Sequence, residues 1–127
     1  MPRMIFIALN VSDLERAMAF YRDAFGIEFH ASTNLPADDP WIGGGHSSTS
    51  WTSGAYLHLA LFPARLPERP VTHDLQIGFD SDDVARDHVR ALASGAVVVH
   101  PPRQEPWGMT ARYRDPDGNL VSITGAR

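Results

Sequence analysis

The chain has no cysteine. That excludes disulfides, thiolate metal sites and a cysteine nucleophile. It has no lysine either, since all eleven basic residues are arginine. Lysine Schiff-base chemistry and a P-loop lysine are therefore excluded. No apolar run approaches the roughly 20 residues that span a bilayer. Met1 to Asn10 carries no charged lead ahead of a long apolar stretch, so no export leader and a cytoplasmic location are expected. Basic excess is missing too. The net charge is −4 and the arginines are scattered, which argues against a nucleic-acid partner. What is there is ordinary: 127 residues, 43% hydrophobic and 20% charged. That composition suits one globular domain over residues 1–127.

The chain echoes itself at an offset of about 70 residues. Phe6-Ile-Ala-Leu-Asn-Val-Ser-Asp-Leu-Glu-Arg16 parallels Gln76-Ile-Gly-Phe-Asp-Ser-Asp-Asp-Val-Ala-Arg86. Each reads as an alternating strand, an acidic cap and a helix. In the first half, Met4 to Asn10 is a strand. Ser12 is the expected helix cap, with Glu15 completing a capping box. Leu14, Ala17, Met18, Tyr21 and Phe25 share one helical face, and Gly26 ends the helix. Ile27 to Thr33 is a second strand, and Ser47 to Thr52 and Ala55 to Phe62 form a hairpin turning at Ser53-Gly54. Pro63, Pro67 and Pro70 make a stiff linker. The second half repeats the order: Asp74 to Asp80, an Asp82-capped helix buried through Val84, His88, Ala91 and Leu92, Gly95 as its stop, Ala96 to His100, a proline-rich loop, then a hairpin around Asp115-Pro-Asp-Gly-Asn119. The fold class is α+β. Two βαβββ modules form a curved mixed sheet around a cavity with helices outside: module one about 1–63, a linker about 63–72, module two about 73–127.

Alternate strand residues face opposite sides. With Ile7, Leu9, Leu59, Leu61, Ile77, Phe79, Val121 and Ile123 under the helices, the other face presents Phe6, Tyr56, His58, Gln76, Thr110, Arg112 and Ser122. Aromatic walls with a few polar groups suit a small-molecule pocket. Trp41 and Trp51 flank the Gly43–Gly45 loop, a candidate lid, and Trp107 opens the loop before the seventh strand. These three either cover core edges or form a stacking box. Arg112 either pairs with Asp74 or another carboxylate, or grips an oxygen of a ligand. His58 is either a half-buried structural histidine or a ligand-contacting base.

Val11-Ser-Asp-Leu-Glu-Arg-Ala-Met-Ala-Phe-Tyr-Arg-Asp-Ala-Phe-Gly26, together with Trp107-Gly108 and Tyr113-Arg-Asp-Pro-Asp-Gly-Asn-Leu-Val121, resembles the two signatures of the vicinal oxygen chelate superfamily. That superfamily holds glyoxalase I, extradiol dioxygenases, and fosfomycin- and bleomycin-resistance proteins. The resemblance covers the whole chain and implies a fold rather than a reaction. It also implies that the family's metal ligands would fall at Phe6, His58, Gln76 and Ser122. Phe cannot ligate, and Ser122 replaces the anchoring carboxylate, whereas a stable site needs about three good ligands. No metal and no cofactor are therefore expected.

The leading expectation is a metal-free protein that binds, and does not alter, an aromatic natural product or antibiotic. The alternatives are a metal-dependent glyoxalase-like lyase, isomerase or transferase, and a cofactor-free enzyme with His58 as base and Arg112 stabilising an oxyanion. The expected partners are a small aromatic ligand and a second copy of the chain in a homodimer, an arrangement the linker would also permit with swapped halves. Neither nucleic acid nor membrane is expected.

Overall fold

The computed structural model describes Pro2 and residues 6–32, 46–48, 58–67 and 69–126. Its elements run in chain order as β1 (Phe6–Val11), α1 (Leu14–Phe25), β2 (His30–Ser32), β3 (His46–Ser48), β4 (His58–Pro63), β5 (Gln76–Asp80), α2 (Val84–Ala93), β6 (Val97–Glu105), β7 (Gly108–Arg114) and β8 (Leu120–Gly125). The βαβββ order thus occurs twice, and the class is α+β. Both sheets have four strands in matching order, β1-β4-β3-β2 and β5-β8-β7-β6. In each, the first and last strands of the module pair in parallel and the remaining neighbours are antiparallel. The hairpin turn expected at Ser53-Gly54 lies outside the described residues.

Both helices are capped one residue later than expected. Asp13 accepts from the Arg16 amide at 3.1 Å and Asp83 from the Arg86 amide at 3.0 Å, in place of Ser12 and Asp82. The acceptor must lie three residues before the amide it satisfies. In α2 the turn is set by Val84, whose side chain is buried as the first helical residue. Asp82 instead pairs with Arg86 at 2.6 Å on the surface. Gly26 and Gly95 follow the helix ends at φ of +72° and +82°, a conformation that glycine adopts without a Cβ clash.

The chain divides into two compact units, residues 1–19 with 27–72 and residues 20–26 with 73–127. In the first, Leu9 and Leu61 stand opposite each other in the parallel β1–β4 pair and are fully buried with Val11 and Leu59, while Ala8 on the other face is exposed. The proline-rich stretch is tied to β1: the Ala64 amide donates to the Val11 carbonyl and the Thr72 amide to the Asn10 carbonyl, both at 2.8 Å. The Asn10 amide donates to the Thr72 hydroxyl at 2.9 Å.

In the second unit α2 packs on β6, β7 and β8. Phe79, Val84, Ala91, Ala111, Tyr113, Val121 and Ile123 are buried there. The last turns of α1 belong to this unit. Phe25 stacks on Phe79 at 5.8 Å and meets the edge of Tyr113 at 5.5 Å. The Tyr21 hydroxyl donates to Asp115 at 2.8 Å.

Three expectations are corrected here. Leu92 is 51% exposed and not in the core. Asp74 precedes the strand in a turn at φ +61°. The sixth strand does not stop at His100 but runs through Pro101 and Pro102 to Glu105, with irregular register around His100. The reason is its edge position, where a residue without an N–H costs no ladder hydrogen bond.

Candidate functional site

In the β5-β8-β7-β6 sheet α2 covers one face, and among the described residues no helix covers the other. Burial alternates along β5, with Ile77 and Phe79 turned inward and Gln76, Gly78 and Asp80 exposed. Cross-strand partners share a face, so the register spells out the open side row by row. Gly78 stands opposite Ser122, Ser122 opposite Arg112, and Arg112 opposite His100, a row across all four strands. The next row is Asp80, Thr124, Thr110 and Arg103. On the other side of the Arg112 row, Gln76 faces Leu120.

Arg112 is half-buried, and its side chain makes no hydrogen bond or ion pair among the described residues. The expected pairing with Asp74 does not form, because Asp74 pairs with His73 at 3.0 Å on the surface. Beside Arg112, the Arg103 guanidinium, hydrogen-bonded to Glu105, holds that carboxyl below its ordinary value. The positive charge of Arg112 acts in the same direction. Gly78 leaves space over Ser122: a Cβ there would come within 3.2 Å of the serine Oγ.

Trp107 closes one end of this face. Its indole N–H donates to the Thr110 hydroxyl at 3.1 Å, and that hydroxyl lies 3.1 Å from the hydroxyl of Thr124. Thr110 is thereby 1% exposed, whereas Trp107 itself remains 60% exposed. Trp107 also borders a cavity of about 540 Å³ with Asp80, Ser81, Asp87 and Thr124.

Gln76, Trp107, Thr110, Arg112 and Ser122 are therefore gathered on one face of one sheet. Phe6 and His58 stand opposite each other in the β1–β4 pair of the first unit. Trp41, Trp51 and Tyr56 lie outside the described residues. Sequence reasoning missed His100, because the strand was expected to end there. Its place beside Arg112 follows from pairing across an irregular edge, which no periodicity marks. The residues at the family's metal places fit a divalent cation poorly. A phenylalanine has no donor atom, the Ser122 hydroxyl lies 3.4 Å from the Ile77 carbonyl, and Gln76 is opposed by a leucine.

The doubled βαβββ order and the matching strand orders define the class of fold. The chain belongs to the Glyoxalase/Bleomycin resistance protein/Dioxygenase superfamily, which it matches over residues 3–123. Among solved structures it is similar to TnmS3, an antibiotic binding protein from Streptomyces sp. CB03234, at 28% identity over 98% of this chain and 96% of that one, with a TM-score of 0.74. It is also similar to lactoylglutathione lyase from Agrobacterium tumefaciens, at 25% identity over 98% and 94%, with a TM-score of 0.69. An uncharacterised protein of Shewanella frigidimarina (strain NCIMB 400) is 28% identical over 94% of this chain and 90% of its own length.

Proposed function

We propose that this protein binds a small aromatic compound, an antibiotic or related natural product, and holds it unaltered without a metal ion. The observation that carries the reading is Arg112: a half-buried residue whose guanidinium has no partner among the described residues, on the sheet face opposite α2. A guanidinium left without a protein partner is available to a ligand oxygen, which it can grip through charge-assisted hydrogen bonds. Trp107 supplies an exposed aromatic surface at the end of the same face. The likeness to an antibiotic binding protein across nearly the whole chain supports the same reading. The ligand-binding set comprises Phe6, Trp41, Trp51, Tyr56, His58, Gln76, Trp107, Thr110, Arg112 and Ser122. One domain with two modules is the unit that binds, and it works as a homodimer.

Titration with a panel of aromatic antibiotics and polycyclic phenols, followed by tryptophan emission, tests this. Saturable quenching is expected. Arg112→Ala and Trp107→Ala, checked for folding, should each weaken binding by about tenfold, equivalent to about 1.4 kcal/mol. Mass spectrometry should recover the compound unchanged, and elemental analysis should find well under one divalent ion per chain. Unaltered affinity in both variants places the site elsewhere. A chemically changed compound makes the protein an enzyme, with His58 and Arg112 the first residues to test.

A further inference from the structure

His100 carries information beyond its position. Its Nδ1 lies 2.9 Å from the Pro101 carbonyl oxygen. A carbonyl oxygen can only accept, so the ring hydrogen sits on Nδ1. In the neutral ring Nε2 then holds a bare lone pair, and that atom is buried with no hydrogen-bond partner. Directly opposite on β7 stands Arg112, whose guanidinium has no hydrogen-bond partner among the described residues. An acceptor lacking a donor and a cationic donor lacking an acceptor thus stand side by side on the open face. A buried acceptor is rarely left in that condition, and a single incoming group can satisfy it while pairing with the Arg112 cation.

We propose that His100 and Arg112 form a subsite for an acidic hydroxyl, a phenol or an enol conjugated to a carbonyl. This narrows the ligand class and rests on the small-molecule-binding reading above. On binding, the ligand O–H bond breaks and its proton forms a bond to His100 Nε2. The electron pair stays on the ligand oxygen, which the Arg112 guanidinium holds through charge-assisted N–H donors. The Glu105 carboxylate, on the same strand as His100 and bonded to Arg103, offsets the charge gained by the imidazole. Nε2 is closed to water in the free protein, so the transfer requires that the incoming ligand open a path to it. A carboxylate already ionised has no proton to give, and an aromatic ether has none either, so neither satisfies both residues.

The test compares para-nitrophenol with its methyl ether, para-nitroanisole, on the full chain in mildly acidic buffer, where the free phenol is largely protonated. The phenol should bind at least about tenfold more tightly than the ether and develop the visible band of its phenolate on binding. His100→Phe should abolish the band and the preference while retaining the ether's affinity. His100→Gln, which keeps a polar side chain, should do the same if the phenylalanine variant does not fold. Arg112→Gln should lose the band as well. Equal binding of phenol and ether, or a bound phenol that stays neutral, overturns the subsite and leaves aromatic binding intact. Failure of both compounds to bind while the antibiotic panel still quenches tryptophan also overturns it. Failure of the whole panel overturns the function proposed above.

Discussion

At the residue scale the Asp115 carboxylate ties the last turns of α1 to the turn between β7 and β8. It is 6% exposed and accepts four hydrogen bonds: from the Asp117 and Asn119 amides, the Asn119 side-chain amide and the Tyr21 hydroxyl. Asn119 passes the network on by accepting the Leu75 amide at 3.0 Å. The turn motif at 115–119 was legible in the sequence, since Asp, Gly and Asn supply caps and a left-handed position. Its link to Tyr21, 94 residues away, was not, because long-range pairing leaves no local pattern. Tyr21→Phe removes one donor from a buried carboxylate and should cost about 1.5–3 kcal/mol, read as a lower urea midpoint at unchanged m. Tyr113 makes a different prediction. Burial, and secondarily the charge of Asp87, pushes its phenol up to about 12 from 10.0. The folded state therefore favours the neutral phenol. Its contribution is complete below pH 10 and is lost as pH rises from 10 towards 12, by up to about 1.4 kcal/mol per pH unit. Burial, then Asp115, raises Tyr21 in the same direction. Unfolding free energy should fall above pH 10, and Tyr113→Phe should make that fall shallower. An unchanged slope in the variant would remove Tyr113 from the account.

At the scale of elements, the internal echo located both helices, and the alternation read along the fifth strand is reproduced by burial in β5, whereas in β7 neighbouring Thr110 and Ala111 are both buried. What the sequence left ambiguous were places where neighbouring residues offer the same chemistry. Asp82-Asp83 is such a place, and only the packing of Val84 decides between them. Asp83→Ala should destabilise by about 1 kcal/mol, the ordinary loss of a helix cap. Asp82→Ala, which removes an exposed pair with Arg86, should have a much smaller effect. Comparison of the two unfolding curves decides it, and equal losses would show that the cap is shared. The sixth strand was misread for another reason. Pro101-Pro102 signals a loop wherever the neighbours of a strand are unknown, and only sheet order reveals an edge. That misreading also concealed His100, so part of the candidate site became visible only with the topology, whereas the Arg112 face was visible from alternation alone.

For the whole molecule, family membership and fold leave the assembly to be decided. No helix among the described residues is long and apolar enough to cross a membrane. Large apolar side chains nevertheless stand exposed on α2 and β6: Val89, Leu92, Val97 and Val99, the first three more than half exposed. Scattered exposed apolar residues are common, but several on an adjoining helix and edge strand are what a second copy would cover. If that face joins two copies, light scattering should give about twice the chain mass at micromolar concentration. The thermal midpoint should also rise with protein concentration, because association stabilises only the folded chain. Leu92→Glu offers the sharper test. Its side chain is 51% exposed, so the free chain tolerates the charge, whereas a dimer interface would have to bury it unpaired. The expected result is a folded monomer whose midpoint no longer depends on concentration. A dimer that survives the substitution moves the interface to another face, and a wild-type monomer at the same concentration ends the dimer reading while leaving the Arg112 face, which lies within one chain, available to a ligand.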